Sequence, residues 1–417
     1  MLDKNGIIQK SKDARREYGQ AKANEQEDLS NLSDMIDEAT AEPTPKVNVN
    51  TKAGDNSTIN GKKGNSNNPT IPKNYIPIDT ATSTWGDGST APSQDSVNHG
   101  LVIKDEKNNE WVWVPVDSTT LATMYEESSD EKTLCGTTGE TAVKTKLYSK
   151  TITIGTDSNK TTMSRTTPGT STSDSYREPD LVVGSGAQYD ASDTNYKTIL
   201  GETGTKEQLA ELFVDEYKAM IESVSKYGGF YIGRYELSGT VAEPIERPGE
   251  TLTMVNWYNL YNACRNSKLQ ASDKVKTQMI WGCQWDVTMN WLISSGAKTS
   301  NEVNTDSSSW GNFYYTSVKA DDGKTELKAS GTMEKLNTGK TTFTMANNIY
   351  DLAGNCYEWT QEADDTNLRA RRGGAYNDIG SSFPASYRGG NIPGHSDYGY
   401  PRFSSHFNNK VTLDSRA

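Results

Sequence analysis

Few residues of this chain could carry bond-making chemistry, and their spacing limits what they can do. The three histidines, His99, His395 and His406, are scattered, whereas a His-built metal site needs its imidazoles grouped. His395 and His406 lie near Asp397, Ser404 and Ser405, the residue types of a nucleophilic triad. The surrounding Gly-rich stretch, however, offers no rigid base–nucleophile geometry. The four cysteines, Cys135, Cys264, Cys283 and Cys356, match no zinc spacing. Cys264 and Cys283 read either as a disulfide or as two buried free thiols. A net charge of −12 with no basic run argues against nucleic acid as a partner. What remains is recognition. From Gly373 to Asn409 the chain is dominated by Gly, Ser, Tyr and Asn, a paratope-like mixture of rigid aromatic contact area and adaptable hydrogen bonds.

That same stretch contains no Lys, Glu, Gln, Met or Trp. These types make up roughly a fifth of the remaining chain, so uniform composition would give such a gap on the order of once in a few thousand. All five need a purine in the third codon position, and every residue present can be written with a pyrimidine there. Asparagine codons with both adenines randomised yield this alphabet and no stop codon. The segment resembles the variable region of proteins diversified by a retroelement that mutates template adenines. The resemblance implies a binding face at 373–409.

The element that must position this face begins at Asn348 and ends at Trp359. Ile349, Tyr350, Leu352, Tyr357 and Trp359 are bulky and apolar or aromatic, and Gly354-Asn355 between them is a turn pair that tolerates positive φ. Arg371-Arg372-Gly373-Gly374-Ala375-Tyr376 follows, then Ala385-Ser386-Tyr387-Arg388. As a series these resemble the C-terminal motifs of the formylglycine-generating enzyme (sulfatase-modifying factor) family, which implies an α+β, C-type-lectin-like fold. Earlier stretches fit the same pattern. Gly100–Asp105 and Glu110–Val116 read as a hairpin turning at Asn108-Asn109, like the family's opening strands. Lys206 to Lys226 carries Leu209, Leu212, Phe213, Tyr217, Met220, Ile221 and Val224 on one helical face and ends at Gly228-Gly229. Phe230–Glu236 reads as a buried strand, Val255–Arg265 as a helix, and Trp285, Met289 and Trp291 as core residues of another.

With 417 residues and a mean hydropathy of −0.77, the chain has room for a core and for sizeable polar segments. Residues 1–40 read as one amphipathic helix. Residues 41–95 are Pro/Thr/Asn/Gly/Ser-rich and read as a linker or spacer. Residues 96–417 read as the ligand-binding domain, with insertions at 117–204 and 297–340. No apolar run reaches the length of a membrane span, and no signal peptide is visible. The opening stretch Asp3 to Ala14 resembles the segment following the membrane helix of pilin-like surface proteins of Gram-positive bacteria. That implies a stalk whose anchor segment is missing here, and an extracellular, cell-surface setting.

The family resemblance also bears on chemistry. A formylglycine-generating oxidase needs a copper-binding cysteine pair near its C-terminal motifs, since copper(I) selects soft thiolates; no cysteine follows Cys356. The expectation is therefore a non-enzymatic, adhesin-like binding protein without cofactors, whose partner is a protein or surface ligand. A divergent oxidase and a phage receptor-binding protein are the other readings. Some members of this fold hold calcium near the turn, and Asp351, Asn355 and Glu358 are hard oxygen ligands. Against that, Asn355 is expected to satisfy its own turn and Glu358 to pair with an arginine such as Arg371. By the family pattern the exposed contact positions are Ala375, Asn377, Asp378, Ile379, Phe383, Gly389, Gly390, Asn391, Ile392, His395, Asp397 and Tyr398. Tyr376, Phe383, Tyr398, Tyr400 and Phe403 are candidate aromatic anchors. Gly374, Tyr387 and Arg388 are expected to hold the loops.

Overall fold

The computed structural model describes residues 65–85, 92–124, 126–134, 139–148, 175–180, 197–364, 368–394 and 410–415, with the backbone of short strands at 57–58, 151–153, 162–166 and 407–408. All of these fall within the unit Lys46–Ala417. The helix expected over 1–40 lies outside the described residues.

Strands that build the two main sheets are numbered along the chain: β1 (Ile76–Asp79), β2 (Thr84–Trp85), β3 (Val102–Lys104), β4 (Glu110–Pro115), β5 (Thr151–Thr153), β6 (Thr162–Thr166), β7 (Ser175–Arg177), β8 (Gly229–Gly233), β9 (Val275–Met279), β10 (Tyr357–Asp364), β11 (Leu368–Arg372), β12 (Arg388–Asn391), β13 (Phe407–Asn408) and β14 (Val411–Ser415). The first sheet is antiparallel and runs β9–β14–β8–β4–β3–β1–β2. The second runs β12–β11–β10–β7–β6–β5, with β13 beside β10. Helices α1 (Lys206–Tyr227), α2 (Trp257–Cys264) and α3 (Gly282–Ser294) accompany them, giving an α+β architecture.

The hairpin read from the sequence is β3–β4, with Val102 opposite Val112, Ile103 opposite Trp111, and Asn108 in the left-handed region at its turn. Side chains alternate across β4 because a strand has a period of two. Trp111 and Trp113 enter one apolar cluster, while Val112 and Val114 enter another on the opposite face. The sheet is thus covered on both sides. Helix α1 starts at a capping box, Thr205 with Gln208, and ends at Gly228 (φ 73). A side chain at Gly228 would collide with the backbone of Asn65 and Ser66. In α3, Trp285, Met289 and Trp291 are buried, as their spacing indicates.

Two segments depart from the sequence expectation. The supposed spacer 41–95 contributes β1 and β2 to the first sheet, and Tyr75 is closed to solvent. Tyr231 Oη donates to the Thr70 carbonyl at 2.9 Å, and Trp113 Nε1 donates to the Ser66 carbonyl at 3.0 Å. Its average composition is polar, but Ile76 and Ile78 lie in β1 and Ile71 and Tyr75 are fully buried, so the folded domain begins well before residue 96.

The insertion 117–204 is likewise more than loop. It supplies a hairpin, Glu126–Thr133 with Lys144–Tyr148, and the strands β5 to β7. The expected strand from Leu147 to Ile154 is split, ending one strand at Tyr148 and starting another at Thr151. The insertion 297–340 buries Trp310 and Phe313.

Candidate binding face

The anchor turn behaves as its residue types require. Asn347, Asn348, Asp351, Gly354 and Asn355 all have positive φ. Between and beyond them, Ile349, Leu352 and Trp359 are fully buried. The Asn355 side chain does not satisfy its own turn. Its Oδ1 accepts from Asn312 Nδ2 and from the Leu336 backbone, and its Nδ2 donates to Glu236 and to the Leu336 carbonyl. It therefore ties the anchor to the 297–340 insertion and to the segment after β8.

Glu358 does not pair with Arg371, whose guanidinium instead lies 4.2 Å over the Tyr357 ring. Both Glu358 carboxyl oxygens are buried without a hydrogen-bond partner, and burial beside Glu236 pushes this acid well above the usual carboxylate range. Desolvation likewise raises Glu236, Asp351 and Glu246, the last to about 8. Among the described residues, no group of three His, Cys, Asp or Glu converges as a metal site would require. Cys264, Cys283 and Cys356 are buried thiols outside any disulfide, so Cys264 and Cys283 are not bridged. Burial pushes the Cys264 and Cys356 thiols up, away from the thiolate form a soft metal selects.

Beyond β11 the chain alternates between fixed points and loops. Gly373 and Gly374 have φ of 86 and 79, and a Cβ on Gly374 would come within 2.5 Å of the Phe383 carbonyl oxygen. The Ala385 amide donates to Ser307 Oγ at 2.9 Å, and its carbonyl accepts from Trp285 Nε1 at 3.1 Å. Strand β12 pairs with β11, Arg388 opposite Arg372. Buried Arg388 joins Glu362 and Asp286, and Arg372 contacts the same two carboxylates. Gly374 and Arg388 thus hold the loops as expected. Tyr387 is half-buried in a ring cluster with Tyr357 and Phe383.

Among the candidate contact residues, Ile379 stands clearly in solvent. Tyr376 and Asn377 are half-buried. Four positions differ from the family-based expectation. Ala375 is fully buried. Asp378 faces inward, accepting from the Ala375 amide at 3.0 Å and from the Tyr357 hydroxyl. Phe383 is half-buried against Tyr357 and Tyr387, centroids 6.3 and 4.8 Å away. Ile392 is half-buried against the core. Ala375, Phe383 and Ile392 instead pack into or against the apolar cluster below. Gly389, Gly390 and Asn391 are half-exposed on β12. A Cβ on Gly389 would meet the Tyr387 hydroxyl, and one on Gly390 the Asp364 carboxylate. His395, Asp397, Tyr398, Tyr400 and Phe403 lie outside the described residues. The expected outward grouping of Ile379, Phe383, Ile392, His395, Asp397 and Tyr398 thus reduces, among the described residues, to Ile379.

The sequence reading missed the neighbour of this face. The Tyr314 amide donates to the Asp378 carbonyl at 2.8 Å, the Ser307 amide to the Gly380 carbonyl at 3.3 Å, and the Gly331 amide to the Tyr314 carbonyl at 2.7 Å. The 297–340 insertion therefore borders the Asp378–Gly380 loop, and it exposes Tyr315 and Met333 at 62% and 65%. The aromatic run from Trp310 to Tyr315 was the available signal, set within a segment of polar average composition.

No protein-family model matches the chain, and no curated protein does. Among solved structures it is similar to Treponema denticola variable protein 1, with 13% identity over 46% of this chain and 85% of that chain at a TM-score of 0.28. It is also similar to PvdO from Pseudomonas aeruginosa, with 13% identity over 45% of this chain and 81% of that chain at a TM-score of 0.27. Both likenesses lie below the level at which a shared fold follows.

Proposed function

We propose that this chain is a non-enzymatic ligand-binding protein on a C-type-lectin-like scaffold. Its 373–409 segment is a diversified recognition face, and its partner is a protein or other surface ligand met outside a bacterial cell. In this reading residues 1–40 are a stalk of pilin-like type.

One combination carries the proposal. A segment without Lys, Glu, Gln, Met or Trp is held by groups that do not depend on its exposed side chains. Gly373, Gly374, Ala375, Ala385 and Arg388 are buried, while Ile379, Ser381 and Ser382 are exposed. Exposed side chains on a fixed backbone are exchangeable at small cost, on the order of 0.5 kcal/mol each, as a diversified face requires.

Deep sequencing of the coding region in a population grown from one cell tests the proposal. The expected result is substitution concentrated between codons 373 and 409, at positions where a template copy carries adenine. A substitution rate there equal to that of codons 206–300 would overturn it.

A further inference from the structure

A cavity of about 600 Å³ opens between α1, the C-terminal end of α2 and the strand β9, within the usual range for small-ligand sites. It is lined by Asp215 and Glu216 from α1, Asn262 and Arg265 at the end of α2, Gln270, and Lys276 of β9. We propose that it binds a free polar amino acid as a zwitterion.

Arg265 carries the argument. Its Nε lies 3.0 Å from a Glu216 carboxylate that is itself nearly closed to solvent, and its guanidinium stacks 4.9 Å over the Tyr261 ring. The Tyr261 hydroxyl donates to the other Glu216 oxygen. An ion contact at Nε and the ring beneath its face restrain the group in orientation. Among the described residues its two terminal nitrogens donate no hydrogen bond, and the side chain, 31% exposed, lines the cavity. A pre-oriented guanidinium with two parallel N–H donors open is the fork that matches a carboxylate, and fixing it beforehand removes an ordering cost from binding.

The rest of the lining selects among carboxylates. Lys276 is exposed, with no ion pair among the described residues, and adds a second cation. Asp215 is exposed and likewise unpaired, and presents an anion. Two carboxylates and two cations give a lining with no net formal charge, so a polyanion meets as much repulsion as attraction. A ligand carrying one carboxylate and one ammonium satisfies both signs. The amides of Gln270 and Asn262 suit a side chain that donates and accepts hydrogen bonds.

L-glutamine, titrated into the full chain by calorimetry, is the test probe, with N-acetyl-L-glutamine and inorganic phosphate as comparisons. Saturable binding of glutamine is expected, weakened about tenfold or more by losing a charge-assisted contact in Arg265→Lys and, separately, in Lys276→Met. N-acetyl-L-glutamine, which lacks the ammonium, should bind at least about tenfold more weakly by the same reasoning. Lys276 is on the surface, so its variant reads binding with the fold intact, and the thermal midpoint of Arg265→Lys checks that fold. Absence of glutamine binding, equal binding of phosphate or of the N-acetyl form, or unchanged affinity in the Lys276 variant would each overturn the assignment.

Discussion

Arg388 Nε lies 2.8 Å from Glu362 Oε2, and both side chains are closed to solvent. The pair fastens the first residue of β12 to the middle of β10. Asp286 of α3 reaches the same arginine, and Arg372 shares both acids. A buried charge left without its partner is far costlier than an intact pair is stabilising. Glu362→Gln should therefore lower stability by about 3–5 kcal/mol, read as a fall in the urea midpoint at neutral pH. Amide exchange should quicken first over Arg388–Asn391. An unchanged midpoint would mean that Asp286 alone suffices to neutralise both arginines.

Glu246 gives a prediction whose sign is opposite to that of an ordinary surface acid. Its carboxyl is fully buried; one oxygen accepts from the Tyr235 amide at 2.9 Å, and desolvation raises its pKa to about 8. Raised acids bind more protons in the folded chain than in the unfolded one. Their stabilising contribution is complete below the unfolded value, near 4.5, and is lost as pH rises through the folded value. Glu236, Asp351 and Glu358 act in the same direction, while the lowered Asp79, Asp117 and Glu302 are ionised in both states above pH 5 and leave the slope there unchanged. The urea midpoint should fall steadily between pH 5 and pH 8. Glu246→Gln, which mimics the protonated acid, should make that slope shallower. A midpoint that rises with pH would show these acids to be ionised in the fold.

The sequence disclosed what local pattern controls and hid what distant pairing controls. The α1 face, the β3–β4 alternation and the apolar spacing around Gly354-Asn355 each follow from periodicity and turn chemistry, and all three appear where expected. The burial of Arg177, Glu178 and Asp180 could not be read, because charged residues in a Thr/Ser-rich stretch look solvated. Arg177 and Asp180 pair with each other at 2.7 Å, and Glu178 finds its partners far along the chain, its carboxylate capping α3 by accepting from the Gly282 and Cys283 amides. Tyr75 was obscured differently, since one fully buried ring in a polar segment barely moves the average composition. At the candidate face, a residue's place in the family pattern does not tell the direction of its side chain. Ala375 is buried in the apolar cluster, and Asp378 turns inward to accept from the Ala375 amide and the Tyr357 hydroxyl.

Gly374 and Ile379 are close in sequence yet should respond oppositely to substitution. Gly374 has φ 79, where a side chain is strained, and its missing Cβ is 2.5 Å from the Phe383 carbonyl oxygen and 2.8 Å from the Phe313 ring. Backbone cannot yield as a flexible side chain does, so Gly374→Ala should cost at least about 1–3 kcal/mol from strain of this kind, lowering the thermal midpoint by several degrees. Ile379 is 42% exposed, and its backbone, not its side chain, makes the local bonds: its carbonyl accepts from the Ser382 and Phe383 amides. Ile379→Arg should shift stability by no more than about 0.5 kcal/mol. If Ile379→Arg destabilised the chain as much as Gly374→Ala, the Asp378–Gly380 loop would be packing surface, and a face that tolerates exchange could not include it.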